Sequence, residues 1–262
     1  MKAPEIIYED RQLLVVEKPP GWLAQADGSE RPDILEWARA HIVSSRGKPC
    51  RPFVGLCHRL DRQVGGLMVL AKTSKAASRI SAQFRDREVR KLYSAICVGQ
   101  PDNPMTMLAQ TMLRDDCITR VARGKEPGTN CVLRYALGEI GAVGDVSACQ
   151  LRIELLTGFK HQIRAQLASI GHPVYGDALY GAPGASSDRE GIALHSSYLG
   201  FAHPITGQVL EFISQPDESW PWTEFRSEFA CLADQAFAKV LAMRENARNG
   251  QGEDLDLEFP EC

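Results

Sequence analysis

After residue 88, the side chains of the sequence alternate between two faces, which is a period of two residues. In VRKLYSAICV, Lys91 and Tyr93 project from one face of the segment, whereas Leu92 and Ser94 project from the other. CQLRIELLTG alternates in the same way and is followed by KHQIRAQLASIG, which has helical spacing. Because such strands mix irregularly with helical segments, the sequence predicts an α+β fold with a mixed, largely antiparallel sheet and flanking helices.

The segments before residue 88 supply further elements of this fold. Residues 5–16 read as a β-hairpin with a polar turn, stopped by Pro-Pro-Gly. Asp33 is expected to cap one helix and Ser74 a second one, because each precedes apolar residues at helical spacing. Between the helices, LMVLAKT reads as a fully buried strand.

The end of the chain is expected to be helical and then acidic. Thr223 is a candidate cap for a helix that runs to about Asn246. Without internal repeats or a long linker, residues 1–248 are expected to form one domain, and 249–262 a flexible tail. This tail holds five acidic residues and no basic one, so the rest of the chain is more basic than the net charge of −3 indicates.

Composition narrows the class of protein. The chain is 44% hydrophobic and 24% charged, without an apolar run near the roughly 20 residues of a membrane helix. Its N-terminus lacks the apolar core of a signal peptide, so a cytoplasmic protein is expected. The eight cysteines show no C-x-x-C pair, and we expect neither a metal site nor disulfides.

The segment HRLDRQVGG places Asp61 close to two arginines, Arg59 and Arg62. In an arbitrary sequence, such a carboxylate most often forms a weak surface ion pair. Here it stands where a loop meets the buried strand, a junction at which catalytic groups are frequent. Asp61 is therefore a candidate for either role.

Two other stretches carry candidate site residues. On its strand, Tyr93 has Lys91 on the same face and an aromatic ring that can stack on a flat base. In TGFKHQIR, Arg164 follows His161 by one helical turn, from which it can reach a buried carboxylate as a bidentate partner. Taken singly, each of these residues more often has an ordinary structural role than a catalytic one.

Together and in this order, the motifs resemble those of the RluA-type pseudouridine synthases, which isomerise uridine to pseudouridine in tRNA and ribosomal RNA. HRLDRQVGG, KLY and TGFKHQIR are similar to H-R-L-D-x-x-T-S-G, K-x-Y and T-G-R-x-H-Q-I-R of that family. Further similar segments are IIYEDRQLLVVEKPPGW, GHPVYGDALYG and ALHSSYLGFAHPITG. The resemblance spans residues 5–213 and implies the catalytic fold of that family.

The resemblance also implies roles for individual residues. Asp61 would act as the catalytic carboxylate, by attack at C1′ or by removal of the C2′ proton. Tyr93 would stack on the uracil, and Arg164 would pair with Asp61. Structured RNA, either tRNA or ribosomal RNA, is the implied partner of a monomeric enzyme without a cofactor. Substrate contacts are expected from six further residues: Arg59, Arg62, Lys91, His161, Gln162 and Leu194.

The sequence departs from the family pattern at two places. Val64-Gly65 replaces Thr-Ser, and Phe159 replaces a basic residue. A loop expected at residues 114–129 would help to select the RNA, since it contains Arg114, Arg120, Arg123 and Lys125. The family's N-terminal RNA-binding module is expected to be missing, because strand material begins at residue 5.

Two other classes of function remain open from the sequence. The departures from the family pattern and the net acidic charge fit an RNA-binding or RNA-folding protein that has kept the fold but lost activity. A glycosidase-like hydrolase would use Asp61 together with a second carboxylate, and no acidic residue accompanies the KLY or HQIR motifs.

Overall fold

The computed structural model describes residues 2–46, 51–115, 118–183, 191–216 and 221–225. Within these ranges three helices are present: α1 (Ile34–Arg46), α2 (Ser74–Arg85) and α3 (Gln162–Ser169). The same ranges contain eleven strands: β1 (Glu5–Glu9), β2 (Leu13–Lys18), β3 (Gly55–Leu56), β4 (Gly65–Ala71), β5 (Arg90–Val98), β6 (Met105–Asp115), β7 (Ile118–Val121), β8 (Thr129–Val143), β9 (Val146–Leu155), β10 (Leu194–Ala202) and β11 (Val209–Ile213).

All eleven strands belong to one sheet. Its order is β1-β2-β4-β10-β5-β9-β8-β6-β7, with β11 paired to β10 and β3 paired to β4. Strands β4 and β10 pair in parallel, whereas the other pairs between described strands are antiparallel. The predicted α+β class with a mixed, largely antiparallel sheet is therefore confirmed.

The helices lie on both faces of the sheet. Apolar residues of α1 and α3, such as Ile34 and Ile163, pack into the larger core with strands β2, β4, β5, β8 and β9. Ala76 and Ile80 of α2 pack into a second core on the other side of β2 and β4. No helix within the described residues is long and apolar enough to cross a membrane.

The N-terminal elements match the sequence pattern with one correction. Strands β1 and β2 form the expected hairpin, and the Asp33 carboxylate accepts a hydrogen bond from the N–H of Glu36 at 2.9 Å. The predicted cap of α2 was wrong by one position. Thr73, not Ser74, accepts from the N–H of Ala76 at 3.2 Å, because only an extended residue outside the first turn can aim its hydroxyl at that N–H.

The stretch predicted as a loop at residues 114–129 is partly strand: residues 114–115 and 118–121 belong to strands, whereas 122–128 form a loop. Strand β6 continues to Asp115 and pairs with β7, with Met112 opposite Val121. β-Branched residues in β7, such as Ile118, favour this pairing. The predicted helix ending near Asn246 and the acidic tail lie outside the described residues, although residues 222–225 form a 3-10 turn.

Candidate active site

The loop that carries Asp61 is held by two distant segments. It precedes β4, the fully buried strand predicted from LMVLAKT. The N–H of Gly21 donates to the carbonyl of Arg62 at 2.8 Å. The N–H of Ile192 donates to the carbonyl of Gln63 at 3.1 Å. Because both bonds join backbone atoms, they fix the path of the loop next to Asp61.

A buried lysine, which the sequence reasoning missed, supports the same loop. The ammonium of Lys18 donates to the carbonyls of Pro19 at 3.1 Å and Trp22 at 2.9 Å. It also donates to the carbonyl of Arg62 at 3.2 Å. Burial lowers the pKa of Lys18 to about 7, although the negative charge of Asp61 opposes this shift. A lysine that ends an apolar strand just before Pro-Pro-Gly was the available signal.

Val64 and Gly65, which depart from the family pattern, lie in tightly packed surroundings. Val64 is buried in the larger core. A Cβ on Gly65 would lie 3.2 Å from Pro20 and 3.3 Å from His195, so a serine there would crowd both. Gly66 has a φ of 109°, and a Cβ at this position would overlap the backbone of Ser196. Val64 and Gly65 thus pack against neighbouring segments, while Asp61 accepts a hydrogen bond from Arg164.

Arg164 lies in the first turn of α3 and contacts two carboxylates. Its Nε and Nη2 donate to Asp177 at 2.6 and 2.8 Å, whereas Nη1 donates to Asp61 at 3.2 Å. The predicted pair with Asp61 is present, but the bidentate partner is Asp177. The side chain of Asp177 is 0% exposed and that of Asp61 is 27% exposed. Burial disfavours the charged form of Arg164, but the two carboxylates outweigh it and raise the pKa of Arg164.

Asp177 and Tyr180 are the other residues that sequence reasoning did not single out. Both belong to GHPVYGDALYG, a segment similar to the family for which the sequence indicated no roles of individual residues. The guanidinium of Arg164 lies 5.1 Å from the centre of the Tyr180 ring. The Tyr180 hydroxyl accepts from the N–H of Thr119 at 3.1 Å and donates to its carbonyl at 2.9 Å. Tyr180 thus connects the β6–β7 hairpin to Arg164.

His161 lies between Asp61 and Tyr180. Its Nε2 is 3.6 Å from Asp61 Oδ2, and its Nδ1 is 3.2 Å from the Tyr180 hydroxyl. Burial lowers the pKa of His161; Asp61 opposes the shift, while Arg164 and Lys160 add to it. His161 therefore favours the neutral form more strongly than a histidine in water does.

Lys91 and Tyr93 point from β5 into the same cleft as Asp61. Their shared face is the one predicted from the two-residue alternation. Burial and the charge of Asp61 raise the pKa of Tyr93, and a hydrogen bond with Ser196 opposes them. The phenol is therefore neutral near pH 7. The ammonium of Lys91 lies 5.9 Å from the centre of the Phe84 ring.

His58 fixes the start of the loop that carries Asp61 against two elements. Its Nε2 accepts a hydrogen bond from the N–H of Val69 at 3.0 Å. Its ring stacks on Phe84 with centroids 4.5 Å apart. Burial, together with the charge of Lys91, lowers the pKa of His58 to about 3. The ring is therefore uncharged near neutral pH.

The remaining predicted site residues differ in how they face the cleft. Arg59 is exposed, Arg62 is half-buried and Leu194 is buried, and all three line it. The buried amide of Gln162 accepts from Thr157 at 2.9 Å and donates to the carbonyl of Val132 at 3.2 Å. A substrate-binding role for Gln162 stays a prediction, since these contacts hold the turn that precedes α3.

Phe159, the second departure from the family pattern, belongs to a small apolar cluster. It packs against Met112, Cys131 and Ala165, together with Tyr180. An aromatic ring at this position therefore joins the β6–β8 part of the sheet to α3. The position retains a packing role even though it carries no charge.

The cleft around Asp61 has a volume of about 1000 Å³ and is basic. Among the described residues, two acids line it, Asp27 and Asp61. The basic residues other than histidine that line it are Arg59, Arg62, Arg85, Arg87, Lys91, Arg114, Lys160 and Arg164. Such an excess of positive charge suits a phosphate backbone despite the acidic net charge of the chain.

The basic residues predicted to select the RNA have different surroundings in the structure. Arg114 lines the cleft. Arg120 instead forms ion pairs with Asp115 at 2.7 Å and Glu126 at 2.7 Å. Its charge is therefore largely matched within the protein.

Residues 12–169 match a family model whose description is RNA pseudouridylate synthase. This chain belongs to that family. The family, fold and enzyme class predicted from the sequence are therefore confirmed, and RNA pseudouridine synthases are isomerases.

Several relatives of this pseudouridine synthase have been described. Ribosomal large subunit pseudouridine synthase D of Zymomonas mobilis is 33% identical over 225 residues, which cover 79% of this chain and 68% of that protein. Dual-specificity RNA pseudouridine synthase RluA of Haemophilus influenzae is 30% identical over 214 residues, covering 81% and 93%. The structure of human RNA Pseudouridylate Synthase Domain Containing 1 has a TM-score of 0.67 at 23% identity, covering 84% and 86%, and supports the fold alone.

Proposed function

We propose that this pseudouridine synthase isomerises a specific uridine in tRNA or ribosomal RNA and that Asp61 is its catalytic carboxylate. The observation that carries the proposal is the convergence of Asp61, Arg164 and Tyr93 on one basic cleft. The relatives support the substrate class, since their names refer to the large ribosomal subunit and to dual-specificity RNA modification. Because both kinds of RNA are found in the cytoplasm, we also propose that the chain acts there, as a monomer.

The reaction needs a carboxylate beside the ribose and a pocket for a detached base. The N1–C1′ bond breaks, the uracil turns, C5 bonds to C1′, and the C5 proton leaves while N1 gains one. Asp61 serves either route, attack at C1′ or removal of the C2′ proton. Arg164 supports both routes, because its hydrogen bond orients the Asp61 carboxylate. Asp177 in turn accepts a hydrogen bond from the guanidinium and fixes its position.

Tyr93 has two tasks in this proposal. Its ring lies on the wall of the cleft, where it can stack on the uracil. Its raised pKa keeps the hydroxyl protonated, so this hydroxyl can donate a hydrogen bond but does not serve as a base at neutral pH.

The substrate nucleotide must leave its stack to reach Asp61, at a cost of a few kcal/mol. Arg62 is adjacent to Asp61 and half-buried in the cleft wall. We assign it to the space that the flipped uridine vacates or to the neighbouring phosphate. Arg59 and Lys91 add positive charge on the same wall.

The other two classes of function have less support. A glycosidase-like hydrolase requires a second accessible carboxylate, but Asp177 is fully buried and bound by Arg164. Asp27, the other acid in the cleft, is exposed and bonded to Ser29. Loss of activity was suggested by Val64-Gly65 and Phe159, yet these residues are engaged in packing and leave the contacts of Asp61 in place.

Tritium release tests the proposal directly. RNA from cells that lack this gene is labelled with 5-tritiated uridine and incubated with the pure protein. We expect tritium to enter water as C5 loses its proton, and pseudouridine to appear in a nuclease digest. Sites that lose pseudouridine in the deletion cells identify the RNA. Binding of this RNA without tritium release would instead identify a silent RNA-binding protein.

A further inference from the structure

Two residues other than glycine have a positive φ in the described part of the chain. They are Arg87, with a φ of 60°, and His161, with a φ of 53°. Both line the cleft that contains Asp61. A left-handed backbone is unfavourable for residues with a Cβ, and such conformations cluster at functional sites. Of these two residues, Arg87 has no part in the proposed mechanism.

Arg87 occupies the position after α2 at which glycine is most common. The N–H of Glu88 donates to the carbonyl of Gln83 at 2.9 Å, and that of Arg87 donates to the carbonyl of Phe84 at 3.3 Å. This pair of bonds is a Schellman motif, whose left-handed residue is usually glycine because glycine lacks a Cβ. The chain places an arginine there instead.

The charge of Arg87 is not matched by an ion pair within the described residues, and its side chain is exposed. The neighbouring Arg85, by contrast, pairs with Asp86 at 3.0 Å. Arg87 also partly offsets the burial that raises the pKa of Cys131, which places its charge near the start of β8. Arg114 also lines the cleft, two residues after Met112, which pairs with Thr129 at the start of β8. Two arginines thus lie at one end of the cleft.

Tyr93 is the sixth residue after Arg87, so their Cα atoms are at most about 22 Å apart. An RNA segment that contacts both residues therefore spans no more than a few nucleotides. We propose that Arg87 binds a backbone phosphate of the RNA, a few nucleotides from the flipped uridine, and that its left-handed conformation aims the guanidinium at this phosphate. The inference rests on the proposed function, because it takes RNA as the occupant of the cleft.

Replacement by glycine separates the phosphate contact from the fold. Arg87→Gly removes the guanidinium and the unfavourable backbone conformation together. We expect Tm to stay the same or rise by up to about 4 °C, while RNA affinity falls roughly tenfold. The slope of log K against log salt should become smaller by about 0.7 to 0.9, as for one lost phosphate contact. Arg87→Lys should retain this slope.

The matched control is Arg11→Ala, because Arg11 is an exposed arginine in the β1–β2 turn, outside the cleft. All four proteins are titrated with the tRNA fraction from cells that lack the gene. Unchanged affinity and slope in Arg87→Gly, or an equal loss in Arg11→Ala, would overturn the inference. Tritium release by the wild-type protein is measured in parallel. If the wild-type protein is active and Arg87→Gly binds RNA as tightly as wild type, only this phosphate contact is rejected. If the wild-type protein is inactive on all cellular RNA, the proposed function is rejected.

Discussion

Arg164 donates two hydrogen bonds to the buried carboxylate of Asp177, at 2.6 and 2.8 Å. The same guanidinium donates one hydrogen bond to Asp61, at 3.2 Å. Asp177 therefore fixes the orientation of the arginine, and the arginine presents a single N–H to the partly exposed carboxylate. This arrangement leaves the other Asp61 oxygen available to the substrate.

The first prediction concerns Asp61. Asp61→Asn is nearly isosteric and should abolish tritium release while leaving Tm and RNA affinity close to those of wild type. Asp27→Asn is the matched control, because Asp27 is the other acid that lines the cleft. A rate for Asp61→Asn within about tenfold of wild type, a barrier change of about 1.4 kcal/mol, would contradict its catalytic role.

Asp177 should matter for both stability and turnover. Asp177→Asn leaves the buried guanidinium of Arg164 without its main countercharge, so the free energy of unfolding should fall by about 3 to 5 kcal/mol. Because Arg164 then loses its fixed orientation, kcat should also fall in the protein that remains folded. Urea denaturation and tritium release measure the two effects. A wild-type unfolding free energy would show that the pair contributes little.

Arg164→Lys tests geometry at constant charge. Lysine cannot form the planar contact with Asp177 and also reach Asp61, so kcat should fall far more than RNA affinity. Arg120→Lys is a suitable comparison, because Arg120 is also bound by two carboxylates but lies outside the cleft lining. Equal kcat in wild type and Arg164→Lys would mean that orientation of Asp61 does not depend on the guanidinium.

The contributions of the Tyr93 ring and of its hydroxyl can be measured separately. Stacking of a base is worth about 1 to 3 kcal/mol, so Tyr93→Leu should weaken productive binding by roughly tenfold to a hundredfold. Tyr93→Phe keeps the ring. If its KM is normal and its kcat low, the hydroxyl takes part in the chemistry; a normal kcat leaves stacking alone. Normal KM and kcat in Tyr93→Leu would remove Tyr93 from the site.

His58 should make stability fall in mild acid. Its pKa is about 3 in the folded protein, whereas an unfolded histidine has a pKa of about 6.5. The unfolded chain therefore takes up a proton first as pH falls below about 6.5, and stability present above this pH is lost. Between pH 7 and pH 5 the loss should be about 1 to 2 kcal/mol larger in wild type than in His58→Gln. Parallel urea-denaturation results for the two proteins would contradict the assignment.

Local patterns were sufficient to predict several elements of the fold. The two-residue alternation in VRKLYSAICV predicted β5 and the shared face of Lys91 and Tyr93, because the period of a strand depends only on neighbouring residues. The buried β4 and the cap at Asp33 followed for the same reason. The loop expected at residues 114–129 is present at 122–128, but the described residues before it form strands. Charged and polar residues there suggested a loop, but pairing of β6 with β7 satisfied the backbone as strand.

The family, and the motifs that reach the cleft, could be predicted from the chain alone, since the order and spacing of these motifs are properties of the sequence. How the motifs meet depends on the folded structure. A guanidinium can pair with any carboxylate in reach, and Arg164 selects Asp177 because that buried group has no water to compensate its charge. The ammonium of Lys18 likewise donates to the carbonyl of Arg62, a contact between segments far apart in the chain. Such choices depend on burial and distance, which a linear pattern does not contain.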